Sequence, residues 1–469
     1  MRRLSLSLSL VLLFACSDNN NGGGGSSGGA GGARSGGSSG SGGSGRGGST
    51  GSGGSSASGG SSGSGGSSAS GGSSGSGGST GTGGSSGSGG SSGDAGGDTS
   101  GDTGGGGDAA AGGNVFVYAA SNTGYGTATT IRAFKFDTTT GALTAGPTVA
   151  AGSTVSWVTF SPNRKFAYAL NEPSMSTLTS FSVNQSTGAL TKINSVMSSR
   201  MDAVHMSVDP SGKYLLTAHL QGAMMTGGIT VHELGADGSI GMLTDSKVSE
   251  PTIGAAHQVI VDKGGTNVFA STYNGNSFAQ FKFAMGKLTA NAPAQVSVGG
   301  QARHLVIDQA EKFAYGVTEK EVSVVTLSYD KATGKLSNPT SMDASVNEKG
   351  GGSTVVLHPT GKFLFVGSRF DNSIVTFAVD AATGKLTRGT STNDSISYPR
   401  EFAIDPTGNY LVVGTQPNDP AMMPANKKPM GGGYIVVFKV NTMDGSLTKV
   451  GTPMRFDTNV PWVGIVQMP

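Results

Sequence analysis

The chain has 469 residues, a formal net charge of +2 and only 13% charged side chains, and more than half of its 82 glycines fall in residues 22–113, a stretch built almost entirely of Gly, Ser, Ala and Thr. Residues 114–469 hold 27 basic and 24 acidic side chains, a balance that excludes both the broad basic face of a nucleic-acid binder and the composition of an acidic solvating tail. Their apolar content is ordinary and sufficient for one large core, so one folded domain is the economical reading.

The N-terminus runs Met1-Arg2-Arg3, then an apolar stretch from Leu4 to Phe14 broken only by serines, then Ala15-Cys16. That stretch is too short to cross a bilayer, and a basic start, a short apolar run and a small residue have the anatomy of a secretory signal. Leu13-Phe14-Ala15-Cys16 resembles the lipobox of bacterial lipoproteins. The resemblance implies a signal over residues 1–16, lipidation of Cys16, and an exported protein anchored in a membrane and facing the periplasm or cell surface. An ordinary signal peptide with an incidental cysteine is the alternative. Cys16 is the one cysteine in the chain, so the folded part is expected to have no disulfide and no thiolate chemistry. Residues 17–113 read as a disordered Gly/Ser-rich tether that would hold the domain roughly 50 Å from its anchor. Its chance Gly-x-Gly-x-x-Gly matches follow no strand and open no helix, so nucleotide binding is not expected there.

Residues 114–469 are repetitive. A turn centred on Gly and followed two residues later by Leu or Ile recurs at Gly141, Gly188, Gly238, Gly286, Gly334, Gly384 and Gly445, with separations of 47, 50, 48, 48, 50 and 61 residues. Each follows an alternating apolar run such as Ile374 to Val379, the period-2 pattern of a half-buried strand, and Gly supplies the positive φ of a tight hairpin. Between these turns lies a second hairpin signal, Pro-x-Gly-Lys or a degraded form, as in Val208-Asp209-Pro210-Ser211-Gly212-Lys213-Tyr214 and Leu357-His358-Pro359-Thr360-Gly361-Lys362-Phe363. Two hairpins per repeat make a four-stranded antiparallel unit. Seven such units, with little helical pattern, predict an all-β, seven-bladed β-propeller. Residues 114–120 match a second strand and 462–467 a first, so both termini are expected to close the ring through one shared blade. The excess length in the last repeat, Pro417 to Gly433, reads as a surface loop.

Aligning the repeats on their Pro-x-Gly turns gives two columns. Ser156, Val204, His257, Arg303, Ser353, Arg400 and Pro461 open the first strands. Ser121, Glu172, Leu220, Tyr273, Glu319, Arg369 and Gln416 close the second strands. In an antiparallel pair the start of one strand and the end of the next share an edge, so both columns are expected at one mouth of the central channel. His257 and Glu319 are the candidate proton-transfer pair, because a His titrates near neutrality and a carboxylate can activate water. Arg303 and Arg369 can grip an anion and hold an oxyanion. Arg400, Glu172 and Gln416 are candidate substrate-binding residues, with Glu172 able to orient an arginine. The other histidines, His205, His219, His232, His304 and His358, read as strand or turn residues, and Trp157 and Trp462 as equivalent inner-strand residues. No His spacing suits zinc, no metal or other cofactor is expected, and a Ca²⁺ held by backbone carbonyls is left open.

Taken in order, Asn171-Glu172, His257-Gln258, Arg303-His304, Ser368-Arg369, Pro399-Arg400 and Gln416 resemble the lactonase family of seven-bladed propellers, which includes 6-phosphogluconolactonase and a carboxymuconate-lactonising enzyme. The resemblance covers residues 114–469 and maps the family's catalytic quartet onto His257, Arg303, Glu319 and Arg369. The chain departs from the family pattern at Ala255, Thr318, Thr354 and Ser368. What the resemblance implies is a lactone hydrolase acting on a small anionic lactone; with the charge balance and the lipobox, the expectation is a monomer without nucleic-acid partners that touches the membrane only through its anchor. A muconate-type lactonising cycloisomerase and a non-catalytic, tethered, surface-binding propeller are the alternatives.

Overall fold

The computed structural model describes residues 113–123, 127–172, 176–220, 227–247, 254–416 and 433–469. The expected signal segment, Cys16, the expected Gly/Ser tether and most of the insertion at Pro417 to Gly433 lie outside the described residues. Among the described residues there is no helix, and twenty-eight strands form seven four-stranded antiparallel sheets. This is the seven-bladed propeller that the repeats predict.

The innermost strands are β4 (Val155–Phe160), β8 (Ala203–Val208), β12 (Ala256–Val261), β16 (Ala302–Ile307), β20 (Gly352–Leu357), β24 (Pro399–Ile404) and β28 (Asn459–Gln467). They are short and buried nearly throughout, and the fourth strand of each blade is largely exposed, as in β7 (Leu190–Met197) and β23 (Leu386–Thr392). The core therefore lies between blades, where apolar faces of successive sheets meet. One blade has the order β28, β1 (Val115–Asn122), β2 (Ala128–Phe136), β3 (Leu143–Ser153), so the C-terminal strand supplies the innermost position and the N-terminal strand the next.

The turn glycines explain the spacing of the repeats. All seven have φ between +67° and +81°. A Cβ at six of them would strike the aromatic ring that follows the Pro-x-Gly-Lys turn of the preceding blade or its equivalent. Gly188 meets Phe116, Gly238 meets Phe166, Gly286 meets Tyr214, Gly384 meets Phe313, Gly445 meets Phe363, and Gly141 closes the circle on Tyr410. At Gly334 the neighbour is Asn267 instead. Gly361 separates the two effects, because its φ is +70° but nothing lies within 4 Å of the point where a Cβ would stand. Gly361→Ala is expected to destabilise by about 1–2 kcal/mol through the left-handed backbone alone. Gly238→Ala, whose Cβ would fall on the Phe166 ring, is expected to lose a further ~1–3 kcal/mol through overpacking. Urea unfolding of the two variants checks this, and equal losses would rule out the interblade contact as the reason for glycine.

Candidate active site

Most innermost strands begin with the same distortion. Thr154, Asp202, Gln301, Gly351 and Tyr398 have φ between +44° and +76°, and shortly after the strand opens the ladder slips. Pairing jumps from Val155 to Trp157, Ala203 to His205, Ala256 to Gln258, Ala302 to His304 and Pro399 to Glu401. The skipped residues are Ser156, Val204, His257, Arg303 and Arg400. A bulge bends its strand and re-aims the extra side chain, and here it turns the opening column toward the mouth. The closing column follows the ends of β5 (Phe166–Asn171), β13 (Asn267–Thr272), β17 (Phe313–Thr318), β21 (Phe363–Ser368) and β25 (Tyr410–Thr415), which places Glu172, Tyr273, Glu319, Arg369 and Gln416 beside it. All of these side chains are buried.

At the centre is a carboxylate held by two guanidinium groups. Arg303 Nε donates to Glu319 Oε2 at 3.0 Å, and Arg369 Nη2 lies 2.6 Å from Glu319 Oε1. Arg303 Nη1 also donates to the Ser353 carbonyl. Arg369 Nε donates to the Gly351 carbonyl at 3.1 Å, and its guanidinium carbon lies 5.3 Å from the centre of the Tyr398 ring. Burial alone would raise the Glu319 pKa, but Arg369 and Arg303, with a hydrogen bond from Tyr273, outweigh it and hold the carboxyl below its usual range. Arg400 Nη2 reaches across the mouth to Glu172 Oε1 at 3.1 Å. Burial raises the Glu172 pKa, with Arg400 opposing.

His257 faces this group. Burial first, then the charges of Arg303, His304, Arg400 and Arg369, press its pKa well below the ordinary value, so it is the neutral imidazole at neutral pH. Its ring centre lies 6.1 Å from that of Tyr273, and Val204, Leu220, Ala255 and Tyr273 form an apolar cluster on this side. The mouth thus has an apolar wall, one neutral base and three guanidinium groups. Among the described residues no group of three or more His, Cys, Asp or Glu side chains could hold a metal ion.

His205 and His304 are strand residues, as their sequence context suggests, but both also line the channel one layer below the mouth. Trp157 lies against His205 with centroids 4.0 Å apart, and His304 stands edge-on to Trp157 at 5.7 Å. Trp157 and Trp462 occupy equivalent strand positions and meet at 6.4 Å. Glu401 and Thr354 belong to the same layer. Sequence alignment of single columns does not reveal this layer. Its trace is the doublet of consecutive polar residues, Arg303-His304 and Arg400-Glu401, where an alternating strand should show one.

Fold and site together define a seven-bladed propeller with a buried cluster of His, Glu and Arg side chains at one mouth of its channel. The sequence model described as "Lactonase, 7-bladed beta-propeller" matches residues 116–462, and the chain belongs to that family. The 6-phosphogluconolactonase of Pectobacterium carotovorum is 27% identical over 212 residues, covering 44% of this chain and 59% of that protein. The match therefore spans less than two thirds of that relative's length. The 6-phosphogluconolactonase of Bacillus subtilis is 24% identical over 301 residues, covering 61% of this chain and 84% of its own. The solved structure of the periplasmic gluconolactonase of Pseudomonas aeruginosa superposes with a TM-score of 0.66 at 23% identity, covering 76% of this chain and all of that one.

Proposed function

We infer that the protein is a lactone hydrolase resembling 6-phosphogluconolactonase, opening a sugar lactone that carries an anionic substituent. The observation that carries this reading is the pair of guanidinium groups, Arg303 and Arg369, fixed on one carboxylate beside a neutral imidazole. The names borne by the relatives weigh for lactone opening over lactonising cyclisation and over glycan binding.

Both Glu319 oxygens are engaged by guanidinium groups, so its role is to hold them, and His257 is the base. Water attacks the lactone carbonyl carbon as His257 takes one of its protons. The carbonyl oxygen becomes an oxyanion held by Arg303 and Arg369. The tetrahedral adduct then expels the ring oxygen, which receives the proton back from His257, and the product is the open hydroxy acid. A depressed pKa makes His257 a weaker base but its imidazolium a stronger acid, which favours the second transfer. The Val204, Leu220 and Tyr273 wall suits the carbon face of the ring.

From the sequence we infer export and lipid anchoring at Cys16, with residues 17–113 as the tether. The test of function is turnover of 6-phosphogluconolactone and of unphosphorylated aldonolactones, corrected for spontaneous opening. His257→Asn is expected to lower kcat by about 100-fold or more. Wild-type protein that folds but opens no lactone above background would exclude the reading.

A further inference from the structure

The layer below the mouth contains a carboxyl that the mechanism does not use. Glu401 is buried, with 3% of its side chain exposed. It is the residue after Arg400 on β24, and the bulge that turns Arg400 to the mouth turns Glu401 toward the axis. The other channel carboxylates at this end have guanidinium partners: Glu319 has Arg303 and Arg369, and Glu172 has Arg400. Glu401 has none among the described residues. Among the described residues the one basic side chain within 4.0 Å of it is His304, and its Oε1 has no hydrogen-bond partner there.

The hydrogen-bond directions are fixed from one end. Arg303 can only donate, so its Nη1, 3.4 Å from His304 Nε2, requires that nitrogen to be the acceptor. The His304 proton then sits on Nδ1 and is donated to Thr354 Oγ1 at 3.0 Å. The Thr354 hydroxyl, having accepted, donates to the Glu401 carboxyl. The chain runs from Arg303 through His304 and Thr354 to Glu401, with the His304 and Thr354 donors each used once. At its end stands a carboxyl with one oxygen unpartnered, where a negative charge would be poorly compensated.

We propose that Glu401 is a positioning residue kept as the neutral acid: it ends the chain that holds Arg303 toward the mouth, and by carrying no charge it leaves the paired guanidinium groups of Arg303 and Arg369 with one positive charge in excess of their shared carboxylate. The inference rests on the reading of the mouth as a site for an anionic lactone. The groups facing Glu401 agree with it. His304 and His205 are neutral, their pKa values pressed well below the ordinary value by burial and by Arg303. Burial raises the Glu401 pKa to about 8, with Arg303, Thr354 and Arg400 opposing the rise. Below that pH the mouth keeps its excess positive charge, and above it an ionised Glu401 cancels the excess.

The experiment uses the whole chain. Its two tryptophans both lie in this layer, so intrinsic fluorescence reports on the site. Sulfate is the probe, because its charge is constant from about pH 7 to 9.5. In the wild type the sulfate dissociation constant is expected to rise about tenfold over that range as a buried negative charge appears near the anion, and in Glu401→Gln it should stay constant within about twofold. Thr354→Val removes the donor that favours the ionised acid, so its transition should move to higher pH. It also serves as the second variant should Glu401→Gln fold poorly. Infrared difference spectra of wild type minus Glu401→Gln should show a protonated carboxyl band at about pH 7 that is gone at about pH 9.5. Parallel pH dependence in wild type and Glu401→Gln, or absence of that band at the lower pH, would overturn the proposal. If the wild type takes up no sulfate at neutral pH, the anionic-substrate reading fails by itself, and the infrared band still decides whether Glu401 holds its proton.

Discussion

Glu319→Gln is expected to lower kcat/KM on a lactone by about 100-fold or more and to destabilise the fold by about 3–5 kcal/mol, the range for removing one partner of a buried ion pair. Gln can accept from one guanidinium, but it carries no charge, and Arg303 and Arg369 would then face each other buried and uncompensated. Both would move apart, toward the Ser353 and Gly351 carbonyls that already hold them. The oxyanion would lose two donors aimed at one point. The double variant Glu319→Gln/Arg369→Met separates the effects, since it removes one of the two repelling charges. It should be more stable than Glu319→Gln alone while remaining as inactive. Urea unfolding and steady-state turnover measured together check this. Activity within about tenfold of wild type in Glu319→Gln would sink the assignment of Glu319 as the holder of the arginines.

The fold was legible because its determinants are local and repeated. A hairpin glycine needs positive φ wherever it occurs, and seven of them at near-constant spacing count the blades without any knowledge of their packing. That most of these glycines also accommodate a ring of the neighbouring blade could not be read, because the partners lie roughly 70 residues or more apart in the chain and meet only once the blades pack. The two columns around the mouth followed from antiparallel pairing, and the structure brings His257, Arg303, Glu319, Arg369, Arg400, Glu172 and Gln416 to that end. What stayed hidden is the bulge. An extra residue in a strand shifts the side-chain parity by one, so His304 and Glu401 look like residues that should point away from Arg303 and Arg400. The slip in register turns them toward the channel instead. The double engagement of Glu319 was equally invisible, since columns give position and not distance. Under the proposed hydrolase reading, that engagement moves the water-activating role from a choice between Glu319 and His257 onto His257 alone.

Ending the chain at Thr458 is expected to abolish the folded state, because the strand lost is the innermost one of a blade whose other three strands come from the far end of the sequence. β28 pairs with β1 from Val115 opposite Gln467 to Asn122 opposite Asn459. Its Val460, Trp462, Val463, Ile465 and Val466 are each no more than 6% exposed. At about 1.5–3 kcal/mol for each large apolar side chain buried, their removal forfeits on the order of 10 kcal/mol, comparable with the whole stability of a typical domain. The loss is also topological. Without β28 the inner edge of β1 is unpaired, Trp157 loses the Trp462 ring beside it, and the blade built on the N-terminal strands has no C-terminal strand to tie the two ends of the chain together. An unpaired, buried-type edge seeks other edges, so the truncated chain should appear as aggregate or as a monomer without a cooperative transition. Trp462→Phe keeps the strand and most of the apolar area, and it should unfold cooperatively with a lowered midpoint. Thermal unfolding followed by circular dichroism, with size-exclusion chromatography, distinguishes these outcomes. A truncated chain that melts cooperatively within a few degrees of wild type would mean that interblade packing alone closes the ring, and that the shared blade is a consequence of the repeat rather than the clasp that holds it.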